Sequence, residues 1–353
     1  MIKLLIVDDS ALMRRQLAQM FNQQGDFQIR MARNGAEAVA ENMEFQPDVI
    51  TLDINMPEMD GLTALAQIMA MRPAPVVMVS SLTEKGALAT FEALALGAID
   101  YVAKPGGTIS LSMDRIEAEL LAKVRGALRA RLNKARGLGT RLKAERESVA
   151  AVERRSLSRQ SLDEGLVLIG VSTGGPRTLE DILPHLPGDF PLPILIAQHM
   201  PASFTLPFAS RLNGICELEV VEASRPMPLE PGCVYIGKGG ADMLVGRRNG
   251  RLTVLAKPEN SGFLWHPSVE LMGRSAMEHV KPAGLIGVML TGMGHDGADS
   301  FSEIRRGGGR TIAESQNTAV VFGMPAELIA RKGASLTLDA DRIADQLISW
   351  TMC

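Results

Sequence analysis

The sequence predicts an α/β protein of two domains, each built on a mainly parallel sheet. The chain has 353 residues, which is enough for two separate cores. Short apolar runs without polar alternation, such as LLIVD (4–8) and LVLIGV (166–171), recur in both halves and alternate with amphipathic stretches. Continuous apolar strands of this kind are typical of parallel sheets that helices cover on both faces. A stretch of different composition separates the two patterns.

The first pattern predicts a domain over residues 1–128. Its clear strands are LLIVD (4–8), PDVITLD (47–53), PVVMVSS (75–81) and AIDYVAKP (98–105). Helical spacing places four apolar residues on one face of the first helix: Met13, Leu17, Met20 and Phe21. A four-residue repeat predicts the closing helix: Ile116, Leu120, Val124 and Leu128. The domain is therefore expected to end near residue 128.

Residues 129–162 predict a basic, partly helical linker. Between residues 133 and 161 there are eight Lys/Arg against three Asp/Glu, with few large apolar side chains. Such a charge run is typical of a solvated segment. A docking site for an acidic partner is the alternative function of this segment.

The second pattern predicts a domain over residues 163–353, doubly wound around a mainly parallel sheet. Its strands are LVLIGV (166–171), PILIAQ (193–198), CVYIG (233–237), LIGVML (285–290) and RTIAE (310–314). Two further runs, DMLVG (242–246) and RLTVL (251–255), flank an Asn-Gly turn and predict an inserted hairpin.

Composition excludes several classes of protein. The net charge of −3 and a pI near 6.0 disfavour nucleic-acid binding. Three widely spaced cysteines without a CxxC pair disfavour a disulfide framework or a zinc site and fit a reducing compartment. The start MIKLLIVDDS is interrupted by two acids and is not typical of a signal peptide. No apolar run reaches the roughly 20 residues of a membrane helix. We therefore expect a cytoplasmic protein without membrane insertion.

Charged and hydroxyl side chains end the predicted strands of the first domain. Asp8 and Asp9 follow the first strand, Asp53 ends another, and Ser80 and Lys104 end the last two. Ligands of open parallel sheets bind at the carboxyl ends of the strands. Clustered carboxylates there suit Mg²⁺, and a hydroxyl with an ammonium suits an incoming phosphoryl group. Asp53, alone on its strand, is the candidate phosphoryl acceptor.

The motifs VDDS, TLDINMPEMDG, Ser80 and AKP resemble the receiver domain of bacterial response regulators over residues 1–128. The resemblance implies a flavodoxin-like (βα)5 fold that a sensor histidine kinase phosphorylates on Asp53. It implies that Asp8, Asp9, Asp53 and the Asn55 backbone hold Mg²⁺. It also implies a set of switch residues: Ser80, Tyr101 and Lys104.

The stretch GVSTGGP (170–176) is the strongest candidate for chemistry in the second domain. It lacks the lysine of a phosphate-binding loop and the second glycine of a dinucleotide-binding site. It does match the GxSxG pattern, between a predicted strand and a predicted helix that begins at Pro176. A purely structural glycine turn is the alternative. A serine nucleophile needs a base and a group that orients the base. His199 follows PILIAQ, and Asp296 follows LIGVML, so both are expected near Ser172.

Three details refine this hypothesis. His295 is a rival base, but as the neighbour of Asp296 it is expected to point elsewhere. The order Ser, His, Asp disfavours the α/β-hydrolase fold, in which the acid precedes the histidine. The TGMG turn (291–294) offers backbone N–H groups that would stabilise an oxyanion.

Four motifs of the second domain, IGVSTGGP, AQHMP, WHPSVE and MLTGMGHDGA, resemble the chemotaxis protein-glutamate methylesterases, as does the order of the domains. The resemblance implies a triad of Ser172, His199 and Asp296, an oxyanion contribution from the Met293 backbone, and Thr173 as a near-site neighbour. It implies phosphorylation-activated hydrolysis of glutamate methyl esters on methyl-accepting chemoreceptors, and deamidation of receptor glutamines, without a cofactor for the esterase reaction.

Two other functions stay open on the sequence alone. A non-catalytic phospho-switch would bind receptor arrays without turning over a substrate. A nucleotide-binding output domain would bind through the second sheet, although phosphate-loop motifs are absent from the sequence.

Overall fold

The computed structural model describes residues 1–81, 83–104, 113–130 and 165–352. Nearly all of the predicted linker over residues 129–162 therefore lies outside the described residues, and so does Pro105 of the AKP motif. Within the described part of the chain, no helix is long and apolar enough to cross a lipid bilayer.

The first domain is a five-stranded parallel sheet in the order β2-β1-β3-β4-β5, with helices alternating along the chain. Its strands are β1 (Ile2–Val7), β2 (Phe27–Ala32), β3 (Val49–Asp53), β4 (Val76–Ser80) and β5 (Asp100–Ala103). Its helices are α1 (Ala11–Gln23), α2 (Gly35–Glu44), α3 (Gly61–Met71), α4 (Glu84–Leu96) and α5 (Met113–Ala127). This order is that of the flavodoxin-like doubly wound sheets, and the prediction of the fold class is confirmed.

One strand of this sheet is not among the runs that the sequence pattern picks out. Strand β2 lies at the edge and carries Gln28 and Arg30 among its apolar residues, so its inward face is not part of a continuous apolar run. Of the predicted α1 face, Leu17, Met20 and Phe21 are buried and Met13 is half-buried against the same core. The chain reverses its direction of winding between β1 and β3, which places the ends of these strands beside a crevice.

The second domain is a seven-stranded sheet in the order β15-β14-β13-β6-β7-β10-β8, and every neighbouring pair is parallel. Its strands are β6 (Leu166–Val171), β7 (Ile194–Gln198), β8 (Glu219–Ala223), β10 (Cys233–Gly237), β13 (Leu285–Met289), β14 (Arg310–Glu314) and β15 (Leu336–Leu338). The edge strands β8 and β15 are shorter or more polar than the central ones, and the sequence pattern does not single them out.

Helices cover both faces of the second sheet. They are α6 (Gly175–Ile182), α7 (Ala202–Asn213), α8 (Val269–His279), α9 (Ala298–Arg306), α10 (Met324–Ala330) and α11 (Ala340–Met352). Helix α6 ends before Pro184 and continues as a 3-10 turn over Leu183–His185. The helical spacing of the apolar residues in this segment predicts one buried face, and all four are buried: Leu179, Ile182, Leu183 and Leu186.

The predicted hairpin is present as a small antiparallel sheet. Strand β11 (Ala241–Arg248) pairs with β12 (Arg251–Pro258), and the short β9 (Met227–Pro228) completes the sheet. Asn249 and Gly250 have φ of 50° and 78°, the left-handed conformation that a tight hairpin turn requires. The chain after β12 then leads back towards the crevice of the parallel sheet and enters α8.

Candidate functional site

Ser172 lies in a tight turn between β6 and α6, at the centre of the second sheet. The Ser172 N–H donates to the Thr291 carbonyl at 2.9 Å, and the Ser172 carbonyl accepts from the Gly175 N–H at 2.8 Å. The space around the turn requires glycine, because a Cβ on Gly174 would lie 2.6 Å from the Val320 Cβ, and Gly174 itself has a φ of +80°. The turn is therefore fixed by backbone contacts on both sides of the serine.

His199 follows β7 on the neighbouring strand, and its backbone N–H donates to the Val171 carbonyl at 3.1 Å. Its Nε2 lies 2.9 Å from Asp296 Oδ2, and its side chain is 8% exposed. The other ring nitrogen, Nδ1, is buried and has no hydrogen-bond partner among the described residues. Since the Nε2–H donates a hydrogen bond to the ionised Asp296, the lone pair on Nδ1 is left free to receive a proton.

Asp296 is held from several directions. Its carboxylate accepts the Ser268 hydroxyl at 3.0 Å and the first two amides of α8, Val269 N at 2.7 Å and Glu270 N at 3.0 Å. Burial raises the pKa of Asp296, but the hydrogen bond and charge of His199, together with these two amides, bring the pKa below its ordinary value. A carboxylate at a helix N-terminus is also stabilised by the helix dipole. Asp296 is thus kept ionised and fixed in orientation.

The TGMG turn (291–294) lies across the crevice from this pair. A Cβ on Gly292 would lie 2.7 Å from the Ser172 Cβ, so the turn passes directly beside the nucleophile candidate. In the described part of the chain, no backbone carbonyl accepts the N–H of Met293 or that of Thr173. Both N–H groups are available to a developing negative charge, as an oxyanion site requires.

Thr291 connects the Ser172 turn to a buried glutamate, Glu314, that the sequence pattern did not single out. Its N–H donates to Glu314 Oε2 at 2.8 Å, and its hydroxyl donates to the Thr173 carbonyl at 2.8 Å. Burial raises the pKa of Glu314 to about 7, against the lowering effect of hydrogen bonds from Thr291 and Thr318. Its position at the end of β14 is the one sequence signal that would have pointed to it.

The remaining histidines do not compete for the role of base. His295 is exposed and touches the edge of the Trp265 ring rather than Asp296. His266 pairs its Nδ1 with Asp242 Oδ1 at 2.8 Å. His185 lies in the 3-10 turn after α6. Of these histidines, only His199 contacts the carboxylate of Asp296.

The predicted acidic cluster of the first domain is also present. Asp8 and Asp53 are buried, and one carboxylate oxygen from each of Asp8, Asp9 and Asp53 lies within 4.8 Å of the others. The Lys104 Nζ lies 2.9 Å from Asp8 Oδ2 and 2.8 Å from Asp53 Oδ2. A compact set of carboxylate oxygens is the donor set that Mg²⁺ prefers, so the residues present fit this ion.

The charges in this cluster alter the titration of its members. Burial raises the pKa of Asp53, and the Asp8 carboxylate adds to this effect, while Lys104 opposes it. Burial alone would lower the pKa of Lys104, but its contacts with Asp53 and Asp8 raise it above its ordinary value. The ammonium group therefore stays charged beside Asp53, where it would balance a phosphoryl group.

The other predicted residues of this site have different surroundings. The Ser80 hydroxyl donates to the Gly86 carbonyl of α4 at 3.2 Å, and the Asn55 N–H donates to Asp53 Oδ1 at 3.4 Å. The Tyr101 hydroxyl is buried and has no hydrogen-bond partner within the described residues. Burial raises its pKa well above the ordinary value, so Tyr101 is a neutral phenol.

An aromatic contact joins the two domains. The Tyr101 ring stacks on Phe204 of α7 with centroids 4.7 Å apart, and Phe91 of α4 stacks on Phe208 at 5.3 Å. Near the crevice, a Cβ on Gly126 of α5 would lie 2.8 Å from the Met293 Sδ. The first domain thus contacts both α7, which follows His199, and the TGMG turn.

Two family models match the chain. "CheB methylesterase" matches residues 167–347, and "Response regulator receiver domain" matches residues 4–113. The first therefore spans the candidate triad and the second spans the acidic cluster.

Relatives match over nearly the full length. The chain is 56% identical to "Protein-glutamate methylesterase/protein-glutamine glutaminase 3" of Rhodospirillum rubrum, over 99% of this chain and 96% of the relative. It is 50% identical to a protein of the same description, numbered 2, from Rhodopseudomonas palustris, over 99% and 98%. Among solved structures, the CheB methylesterase catalytic domain of Thermotoga maritima covers 54% of this chain at 39% identity, with a TM-score of 0.52 and all of that domain matched.

The buried Glu314 leads to a prediction about pH and stability. Since its folded-state pKa of about 7 lies above the ordinary 4.5, its contribution to stability is full below pH 4.5 and is lost as the pH rises through 7. As the pH rises from 5 to 8, the free energy of unfolding of Glu314→Gln should therefore rise relative to that of the unmodified protein, by on the order of 1–3 kcal/mol. Urea denaturation at several pH values measures this difference. Glu303→Gln, at an exposed position on α9, is the control, and a Glu314→Gln curve parallel to the unmodified one would contradict the prediction.

Proposed function

The chain belongs to the CheB methylesterase family and carries a receiver domain ahead of the methylesterase domain, and on this premise we propose that Ser172, His199 and Asp296 form its catalytic triad. Its activity is hydrolysis of methyl esters on protein glutamate side chains, together with deamidation of glutamine. We propose methyl-accepting chemoreceptors as the substrates. The observation that carries the triad is the His199–Asp296 hydrogen bond, which leaves Nδ1 without a partner among the described residues, at the end of the strand next to the one that Ser172 follows.

The geometry supports the following sequence of steps. His199 Nδ1 takes the proton of the Ser172 hydroxyl as Oγ attacks the ester carbonyl, and the N–H groups of Met293 and Thr173 stabilise the oxyanion. The protonated imidazole then gives its proton to the departing methoxy group, and methanol leaves. Water, activated by the same histidine, hydrolyses the acyl-serine to free glutamate. With a glutamine substrate the leaving group is ammonia.

The non-catalytic alternatives have less support. A binding module without turnover would not require a buried, ionised Asp296 that orients a histidine beside a serine. The relatives, at 56% and 50% identity over nearly the whole chain, carry the description of an esterase and glutaminase. A nucleotide-binding output domain would need a phosphate-loop motif, which the sequence lacks.

The triad proposal predicts the effect of removing the nucleophile. Ser172→Ala should lower methanol release from methylated receptor by on the order of 10⁴-fold or more, because triad members act as a unit. Ser203→Ala provides a matched control, since this serine begins α7 near the crevice without belonging to the triad. Methanol release is measured with purified receptor, and circular dichroism checks the fold. Release by Ser172→Ala at the rate of the unmodified protein would rule out the proposed nucleophile.

We propose that the activity is controlled by phosphorylation of Asp53, with a sensor histidine kinase as phosphodonor. Asp8, Asp9, Asp53 and the Asn55 backbone would hold Mg²⁺, which supplies charge neutralisation for the phosphoryl group when it is bound. Lys104 already contacts Asp53 and would pair with the new phosphoryl oxygens. Ser80 would leave the Gly86 carbonyl to donate to the same group.

The contact between the domains supplies a route from Asp53 to the crevice. Ser80 bonds to α4, and α4 and Tyr101 pack on α7 through Phe91, Phe204 and Phe208. Loss of the Ser80–Gly86 hydrogen bond would therefore act on α4, which carries Phe91 of the aromatic contact. Separation of the domains would uncover Met293, which α5 approaches at Gly126. A few kcal/mol of differential stabilisation is enough to convert a mostly closed population into a mostly open one.

Loosening the aromatic contact should raise the activity without a phosphodonor. Phe91→Ala removes the ring that stacks on Phe208, so basal methanol release should rise about tenfold, while the fully phosphorylated rate stays unchanged. Phe21→Ala is the matched control, because this equally buried phenylalanine packs on Phe27 inside the first domain.

The double variant with Asp53→Asn separates the two effects. Asp53→Asn alone should lose stimulation by acetyl phosphate, and addition of Phe91→Ala should restore a high rate without it. An unchanged basal rate in Phe91→Ala, or a rise of the same size in Phe21→Ala, would contradict the proposed control.

A further inference from the structure

The indole of Trp265 lies on the candidate base. The Trp265 and His199 rings are parallel to within 5°, with centroids 5.4 Å apart. This is the offset-stacked arrangement that aromatic rings prefer. The indole therefore covers one face of the imidazole and leaves both ring nitrogens, which lie at its edge, uncovered. Asp296 does not compete for this face, because its hydrogen bond to Nε2 lies in the plane of the imidazole ring.

Trp265 also contacts the turn that offers the oxyanion N–H. A Cβ on Gly294 would lie 2.9 Å from Trp265 Cζ2, so the indole packs tightly against the TGMG turn. His295 meets the indole edge-on, with centroids 5.7 Å apart and an angle of 88°. One side chain therefore lies between the base and the oxyanion turn and fixes the separation of these two groups.

A second histidine–aspartate pair anchors the segment that carries Trp265. The buried Asp242 of β11 accepts the Asn260 N–H through Oδ2 at 2.8 Å and binds His266 Nδ1 through Oδ1 at 2.8 Å. The Gly240 N–H also donates to the His266 carbonyl at 3.3 Å. Asp242 thus ties both ends of segment 260–266 to the hairpin sheet, and Trp265 is the neighbour of one of these tied residues.

We propose that Trp265 is a positioning residue of the methylesterase reaction, held by the Asp242–His266 pair, and that its ring face stabilises the imidazolium form of His199. The proposal rests on the proposed role of His199 as the base. When His199 takes the Ser172 proton it becomes a cation in a nearly buried position, where charge is costly. An indole face attracts such a cation, and the attraction is greater where water is excluded. The effect exists only while His199 is charged, so it acts on the rate rather than on substrate binding.

Replacement of the ring tests this role. Trp265→Leu should lower kcat for methanol release roughly tenfold, equivalent to about 1.4 kcal/mol, with KM changed less than twofold. Trp265→Phe keeps an aromatic face and should retain most of kcat. Trp350→Leu is the matched control, because Trp350 lies on α11 and packs on Arg310 outside the crevice. All rates are measured with phosphodonor present, so that the closure of the domains does not contribute.

A second readout removes the receptor from the experiment. A fluorophosphonate labels an activated serine as fluoride leaves and the serine proton passes to the base. Labelling of Ser172 should slow in Trp265→Leu by the same factor as kcat and recover in Trp265→Phe. Equal labelling in Trp265→Leu and the unmodified protein, a Phe variant as slow as the Leu variant, or an effect on KM alone would overturn the proposal. Failure of the unmodified protein to release methanol or take the label would instead contradict the proposed triad.

The anchor offers an independent test if Trp265→Leu does not fold. In a Trp350→Phe background Trp265 is the sole tryptophan, and acrylamide quenching reports its accessibility. Asp242→Asn removes the charge that holds His266, so quenching should increase and Ser172 labelling should slow. Increased quenching with an unchanged labelling rate would show that the position of Trp265 does not matter to the base. Unchanged quenching would show that Asp242 does not hold it.

Discussion

The carboxylate of Asp296 is the group on which the arrangement of the crevice depends. It accepts hydrogen bonds from His199, from the Ser268 hydroxyl and from the first amides of α8, so it joins the end of β13 to the loop before α8 and to β7. Four donors on one buried carboxylate keep it ionised and leave it little freedom to turn. The orientation of the imidazole follows from this, because Nε2 is the ring nitrogen that Asp296 holds and Nδ1 has no partner within the described residues.

Both domains place their chemistry at the same feature of a parallel sheet. In the first domain Asp8 follows β1 and Asp53 ends β3, the two strands at which the winding reverses. In the second domain Ser172, His199 and Asp296 follow the three central strands. The two edges are linked by the packing of Tyr101, Phe91 and α7. Because the aromatic rings lie between the acidic cluster and the crevice, a local change of charge has a short path to the esterase site. The structure therefore places the acidic cluster and the crevice in contact through one aromatic interface.

Much of this could be predicted from the sequence, for a specific physical reason. Strand ends are a local signal, and the topology of parallel sheets brings the ends of neighbouring strands to one edge. Ser172, His199 and Asp296 could therefore be grouped from the sequence, although their catalytic role stays a prediction. The edge strands β2 and β8 give a weaker signal in the sequence. A strand at the edge of a sheet is less covered and does not need a continuous apolar run.

Residues that act through tertiary packing carry no such signal. Trp265 belongs to a loop whose path depends on the buried Asp242, and nothing in the spacing of WHPSVE indicates that its indole reaches His199. The same holds for Thr291 and Glu314, which are 23 residues apart and meet beneath the nucleophile turn. The aromatic contact between the domains depends on how two separately patterned sheets pack. Local sequence reasoning has no means of specifying that packing.

The central claim is that His199 presents an unprotonated Nδ1 to Ser172 while its Nε2–H is bound to Asp296. Nitrogen-15 NMR of histidine-labelled protein, with the His199 signals assigned by His199→Gln, measures the tautomer of this ring directly. The account predicts that the neutral ring carries its proton on Nε2. A neutral His199 with its proton on Nδ1 would leave no acceptor for the serine proton and would contradict the account.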